Sequence, residues 1–234
     1  MSGSRRVALQ PAFLLHHSDY SDSSRICRFL TREHGRISLF ARGARRSGSA
    51  MRGVLRPFTP LLVSWSGGTD GGSLTAAEAT DVLATMPPQR LLSGFYLNEL
   101  VLKLLPEAES SEAIFGAYLL AVSSLAVAPQ EEVVLRRFEF ALLGELGYAP
   151  DFSGLEAEGV YDYRPGLGFR RMTAPGAGLS GADLMAIAED RLDVPSVLRA
   201  AKRIAREALE HCLDGRGLRS REVLLELRKL ERDA

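Results

Sequence analysis

The apolar residues of this chain change period once, near residue 83, and that change limits the folds open to it. Upstream, apolar and polar residues alternate in short runs: Gln10–His17, Ser23–Gly35, Arg36–Gly43, Arg56–Trp65 and Ser73–Val82. Alternation of this kind buries one face of a strand. The second and third runs meet at His34-Gly35 and so predict a hairpin. Gly67-Gly68 and the following "TDGG" close the fourth run. Five short strands in about eighty residues, joined by Gly-rich turns, predict a small closed barrel.

Downstream the period becomes that of a helix. Leu97, Leu100, Val101, Leu104 and Leu105 share a face, as do Ile114, Phe115, Tyr118, Leu119, Val122 and Leu125. A third helix opens at Pro129 with Glu131 and Glu132, stripes through Val134, Leu135, Phe138, Leu142 and Leu146, and stops at Gly147. These three predict a bundle. Residues 148–178 break the pattern, and Gly159–Arg171 reads as a hairpin turning at Pro165-Gly166. Helices resume at Ser180, with Asp183 placed for a capping box, then at Pro195–Leu213, and last near Ser220. The expected class is α+β: a five-stranded barrel over residues 1–82, then a helical region over 83–234 with a hairpin insert at 148–178.

The 234 residues are 46% apolar and 25% charged, enough to bury a core. The longest apolar-rich run, Tyr118–Ala128, is interrupted by Ser123 and Ser124 and is too short for a membrane span, and the first thirty residues hold no signal-type run, so a cytosolic protein is expected. Cys27 and Cys212 sit among apolar neighbours and read as buried free thiols.

Net charge is zero, but it is unevenly spread. Residues 1–82 hold eleven Arg, no Lys and six acids; residues 83–234 hold eighteen basic and twenty-three acidic residues. From Arg25 to Arg56 there are nine Arg against Glu33 alone, and Arg36–Gly53 contains no acid. A preference for Arg over Lys would not by itself remove carboxylates. Cations this concentrated repel one another and point to an anionic partner.

Catalytic signals are sparse. No Lys follows a Gly, so there is no P-loop; there is no G-x-S-x-G elbow, no paired-His motif and no C-x-x-C. Nucleic-acid binding fits better: a positive groove tracks phosphates and aromatic faces stack bases. Phe29, Phe40, Phe58 and Trp65 lie in or beside the basic strands, and each can either stack or fill the barrel. A second basic group, Arg199, Lys202, Arg203, Arg206, Arg216, Arg219 and Arg221, is diluted by Glu207, Glu210, Asp214 and Glu222 and reads equally as a mixed solvated face. In "VLRRFEFALLGELGY", Arg136 and Arg137 sit beside apolar positions. Arg136 can pair with Glu139 three residues on, or guard a pocket suited to a peptide ending in an aromatic residue and a free carboxylate.

Over nearly its whole length the chain resembles the RecO family of bacterial recombination mediators. The resemblance rests on "SDSSRICRFLTREHGRISLFARGAR", "LRPFTPLL", "FYLNEL", "VLRRFEFALLGELGY" and "LRSRE", in that order. It implies an OB-fold barrel and a helical C-terminal domain, no enzymatic activity and no cofactor. It also implies a cytoplasmic, nucleoid-associated monomer of the RecF pathway. Such a protein binds single- and double-stranded DNA, anneals strands, contacts the C-terminal tail of single-strand DNA-binding protein, and works with RecR to load RecA. By that resemblance Arg36, Arg42, Arg45, Arg46, Arg52 and Arg56 form the DNA-binding edge. Leu135, Arg136, Phe138 and Leu142, with Lys202 and Arg203, form the tail pocket. An RNA-binding barrel of translation or RNA processing is the alternative, and an enzyme using 148–178 as a lid a third. The four-cysteine zinc site that many relatives carry has no counterpart here, since 149–178 contains no cysteine, and the chain resembles the family's zinc-free branch. Metal analysis of the purified protein should therefore find no stoichiometric zinc, and chelator should leave its melting temperature unchanged; one zinc per chain would overturn this.

Overall fold

Strand β3 (Gly35–Ala41) buries every second residue, and the strands around it follow the same rule. β1 (Arg6–Asp19), β2 (Arg25–Thr31), β4 (Pro60–Ser66) and β5 (Asp70–Ala79) join it in a closed barrel of order β1-β2-β3-β5-β4, with β1 pairing β4 to complete the ring. All neighbours are antiparallel except β3 and β5. In this computed structural model residues 6–80, 83–173 and 177–232 are described, so the expected end of the fifth strand at Asp81-Val82 lies outside them. The barrel core holds Ala12, Leu14, Cys27, Phe29, Ile37, Leu39, Leu61, Val63, Trp65 and Leu74. Burial pushes the Cys27 thiol up to about 11, so it stays protonated and inert.

The β2–β3 turn is fixed locally. Thr31 Oγ1 donates to the Gly35 carbonyl at 2.8 Å and accepts from the His34 N–H at 3.1 Å. Gly35 itself has φ +62°, and a Cβ there would stand 1.9 Å from the Glu109 carbonyl oxygen. Only glycine fits both demands. The close approach lets residues 107–108 run beside β3, with the Ala108 N–H donating to the Arg36 carbonyl at 2.9 Å.

The segment between β3 and β4 is not all loop. Ala50–Val54 forms a short helix, α1, which the alternating pattern does not reveal. Ala44 and Leu55, on either side, are buried in the barrel core, and Met51 and Val54 pack against it.

The chain divides into two compact units, Met1–Val127 with Leu218–Ala234, and Ala128–Gly217. Three helices therefore belong with the barrel: α2 (Leu91–Leu104), α3 (Glu112–Val127) and α7 (Arg219–Arg232). The change of period at residue 83 marks a change of secondary structure; the change of compact unit falls later. β1 explains the attachment. Phe13 and Leu15, on its outer face, are as buried as Ala12 and Leu14 inside. Phe13 meets the rings of Phe115 and Tyr118 at 5.6 and 5.0 Å. Asn98 Nδ2 donates to the Leu15 carbonyl at 2.8 Å, and the Tyr118 hydroxyl donates to Asn98 Oδ1 at 2.5 Å. Every polar atom in that buried chain thus has a partner.

The second unit contains α4 (Glu131–Glu145), α5 (Gly181–Ala188) and α6 (Pro195–Leu213) with a small sheet of β6 (Val160–Arg164), β7 (Gly168–Arg171) and β8 (Leu179–Ser180), in order β7-β6-β8. The expected hairpin is β6–β7. Aromatic packing holds it: Phe169 lies 5.0 Å from Tyr163 and 5.3 Å from Phe152. The expected capping box at Ser180 does not form. Ser180 caps α5 without a side-chain bond, and Asp183 instead accepts from the Ser196 hydroxyl at 2.9 Å. Cys212 is half-buried rather than buried.

Glu99 on α2 caps α7. Its carboxylate accepts from the Arg219 and Ser220 N–H groups at 2.8 and 2.9 Å and from the Ser220 hydroxyl at 2.6 Å, and Lys103 Nζ lies 3.0 Å away. Burial alone would raise this carboxyl. The bonds from Ser220, Arg219 and Lys103 outweigh it and bring the pKa down from 4.5 to about 2. A depressed folded pKa stabilises the fold above the unfolded value, and that stability is lost as pH falls through the folded one. The melting-temperature gap between wild type and Glu99→Gln should accordingly be full near neutral pH and shrink between about pH 4.5 and 2. A gap that ignores pH would show that the charge of Glu99 is not what holds α7.

Candidate nucleic-acid interface and a cleft in the second unit

The outer face of β3 carries Arg36, Ser38 and Phe40, all half-buried. Phe40 is flanked by Ile26 on β2 and Ser73 on β5. Tyr20, in the β1–β2 loop, meets Phe40 in a T, with ring centroids 5.2 Å apart at 73°. The alternating pattern marks Phe40; nothing in it marks Tyr20, which lies in a polar loop. The other aromatics resolve inward. Phe29 and Trp65 fill the barrel, and Phe58 is buried against Phe95 of α2 at 5.2 Å.

The six arginines expected at this edge divide in two. Arg36 is held by the fold: its Nε donates to the Leu105 carbonyl at 3.1 Å and its Nη1 to Glu107 at 2.8 Å. Arg45 is a clip. Its Nη1 donates to the Ser21 carbonyl at 2.7 Å and its N–H to the Ser23 carbonyl at 3.1 Å, while its Nε lies 3.4 Å from Asp19. The other oxygen of Asp19 accepts from Arg25 at 3.2 Å. Arg45 therefore ties the β1–β2 loop to the segment after β3. Arg42, Arg46, Arg52 and Arg56 are exposed, and their side chains make no hydrogen bond or ion pair among the described residues. Buried Ala44 and Leu55 anchor the backbone that carries them. Arg28, exposed on the outer face of β2 opposite His16 and Ser38, adds a further cation. Burial first, then Arg28 and His17, hold the His16 imidazole below its ordinary range.

The second basic group is largely self-neutralised. Lys202 pairs with Glu132, Arg203 with Glu207 at 3.0 Å, and Arg206 with Glu210 at 2.9 Å, and Arg216 bonds the Leu213 carbonyl at the end of α6.

The pocket expected on α4 is not open. Phe138 and Leu142 are 1% and 0% exposed, inside the core, and Arg136 is buried in an ion pair with Glu139. Its Nε is a buried donor with no partner among the described residues. Leu135 is half-buried, Lys202 is held by Glu132, and Arg203 also donates to the Ala177 carbonyl at 2.8 Å. The buried side of α4 is wide: it takes in Val134, Phe138, Leu142 and Leu143 and, further round the helix, Glu139 and Arg136. One residue on, Arg137 turns to the surface. It lines an open cleft of about 340 Å³ with Phe140, Pro150, Phe152, Ile187 and Asp190. Arg137 is 3.0 Å from Asp190, and both side chains are more than half exposed, so the pair is weak and exchangeable. Among the described residues no three His, Cys, Asp or Glu side chains come together as metal ligands, and no helix is long and apolar enough to cross a membrane.

A closed barrel of this strand order, with β3 and β5 parallel, is the OB architecture, a class of small binding barrels. Comparison with known proteins places it further. Residues 6–83 match the family described as "Recombination protein O N terminal" and residues 88–222 the one described as "Recombination protein O C terminal". The chain is 37% identical over 225 residues to the DNA repair protein RecO of Methylococcus capsulatus, covering 93% of each chain. It is 40% identical over 226 residues to that of Aliivibrio salmonicida, covering 93% of this chain and 95% of the relative. It is also 40% identical over 243 residues to that of Laribacter hongkongensis, covering 98% and 99%. The chain belongs to the RecO family of DNA repair proteins.

Proposed function

We propose that this protein is a non-enzymatic recombination mediator of the cytoplasm. It binds single- and double-stranded DNA through the barrel, anneals complementary strands, and acts with RecR and the tail of single-strand DNA-binding protein to load RecA. The observation that carries the DNA reading is the set of four arginines, Arg42, Arg46, Arg52 and Arg56, without a side-chain partner among the described residues, on a backbone pinned into the barrel core. Cations that the fold leaves unpaired on a rigid support gain by releasing counterions from a phosphate backbone. Removing Arg42 and Arg46 together should weaken binding to any DNA sequence. The single-strand salt slope should flatten by about 0.7 for each phosphate that is no longer neutralised. Arg36→Ala should lower the melting temperature and leave the slope alone, because Arg36 is bonded to Leu105 and Glu107. An unchanged slope in the Arg42/Arg46 variant would remove the reading, and a strong preference for single-stranded RNA would favour the RNA-binding alternative.

The tail site moves from the buried Arg136 to the cleft at Arg137. A peptide ending in phenylalanine needs an apolar floor and a cation for its carboxylate. Phe140, Pro150, Phe152 and Ile187 supply the first and Arg137 the second. Arg137→Ala should weaken a tail peptide about tenfold to a hundredfold, as expected for a charge-assisted hydrogen bond of roughly 1.5–3 kcal/mol. Asp190→Asn should tighten it, since the competing carboxylate 3.0 Å from Arg137 is removed. Arg136→Ala should instead destabilise the second unit by leaving Glu139 buried without its cation. Peptide titration and melting curves of the three variants separate these outcomes.

A further inference from the structure

Unpaired arginines account for attraction to phosphate but do not tell a single strand from a duplex. We propose that Tyr20 and Phe40 form a stacking platform for an unpaired DNA base, a reading that rests on the DNA-binding role above and names its specificity. Tyr20 is 64% exposed. Its ring meets that of Phe40, with centroids 5.2 Å apart. The remaining outer face of β3 is Arg36 and Ser38, so Phe40 is the aromatic ring that this face offers. Beside it lies Gly71, with φ +75°, where a Cβ would stand in ordinary van der Waals contact with the edge of the Phe40 ring at 3.7 Å.

The platform is set before any ligand arrives. The Tyr20 N–H donates to the Ser24 carbonyl at 3.0 Å, and Arg45 grips Ser21 and Ser23 of the same loop at 2.7 and 3.1 Å. Ordering of the loop backbone that a ligand would otherwise have to impose is thus already in place. Asp19, the last residue of β1, is paired with Arg25 and Arg45 at 3.2 and 3.4 Å, while the loop's own acid, Asp22, is exposed. Arg45 joins this loop to the segment that carries exposed Arg42 and Arg46. An exposed ring on a loop tied to a cationic segment fits a base flanked by its phosphates. Bases inside a duplex are stacked on one another and cannot reach it. Other exposed rings lack this setting: Phe95 faces Phe58, and Tyr148 faces His211.

Binding of the full chain to an oligonucleotide, to an abasic strand of equal length and to a duplex, each at several salt concentrations, tests the proposal. Wild type should prefer the strand with bases over the abasic one by about tenfold to a hundredfold. Tyr20→Ala and Phe40→Leu should lose most of that preference, Tyr20→Phe should keep it, and duplex affinity should stay within about twofold. The salt slope should not change, because every arginine that neutralises a phosphate is still in place. Tyr20 is exposed and leucine keeps position 40 apolar, and unchanged melting temperatures would confirm that both variants fold. If Tyr20→Ala binds like wild type while the Arg42/Arg46 variant is weakened, the platform is wrong and the DNA reading stands. If wild type binds no DNA, both fall. An equal loss on single strand and duplex would make the two rings structural and overturn the platform.

Discussion

Burial of β1 on both faces is the constraint on which the first unit rests. A strand on the outside of a small barrel normally shows one face to water, and its sequence alternates. Here Ala12, Phe13, Leu14 and Leu15 are all buried. Two of them face the barrel core and two face α2 and α3. That second packing surface makes the helices part of the barrel unit, and Asn98 and Tyr118 complete it by taking up the Leu15 carbonyl. The free ends follow from the same arrangement. Gly35 admits the residues after α2 to the side of β3, and Glu99 of α2 supplies the cap that α7 lacks in its own sequence. Barrel, helices and C-terminal helix are one unit because each leans on a neighbour distant in the chain.

The cationic stretch shows how the fold sorts charges that look equivalent in sequence. A guanidinium is a structural tie when an acceptor lies within its reach, and a ligand for outside anions when none does. Arg36 meets a carbonyl and a carboxylate some seventy residues on, and Arg45 meets the β1–β2 loop about two dozen residues back. Arg42, Arg46, Arg52 and Arg56 meet neither among the described residues. The helix α1 among them accounts for the difference: Met51 and Val54 pack on the barrel core beside buried Ala44 and Leu55, and the four arginines are left exposed.

On α4 the same sorting turns on one residue. Arg136 and Arg137 are about 100° apart on a helix. One is carried into the core, where Glu139 compensates it in a setting that would penalise either charge alone; the other is delivered to a cleft. The aromatic floor of that cleft comes partly from Phe140 and partly from Phe152, which the packing around β7 holds in place.

By itself, the sequence determined the five-stranded barrel, the helices after it, the hairpin at Pro165-Gly166 and the cationic edge. Each of these is written in local periodicity, turn residues or local charge density. It could not determine which arginines stay unpaired, that Phe40 faces out while Phe29 and Trp65 face in, that Tyr20 stands over Phe40, or that Arg137 rather than Arg136 reaches the cleft. Those outcomes depend on partners dozens of residues away and on the rotation of whole elements. Periodicity fixes which residues share a face; only the tertiary structure decides what that face meets.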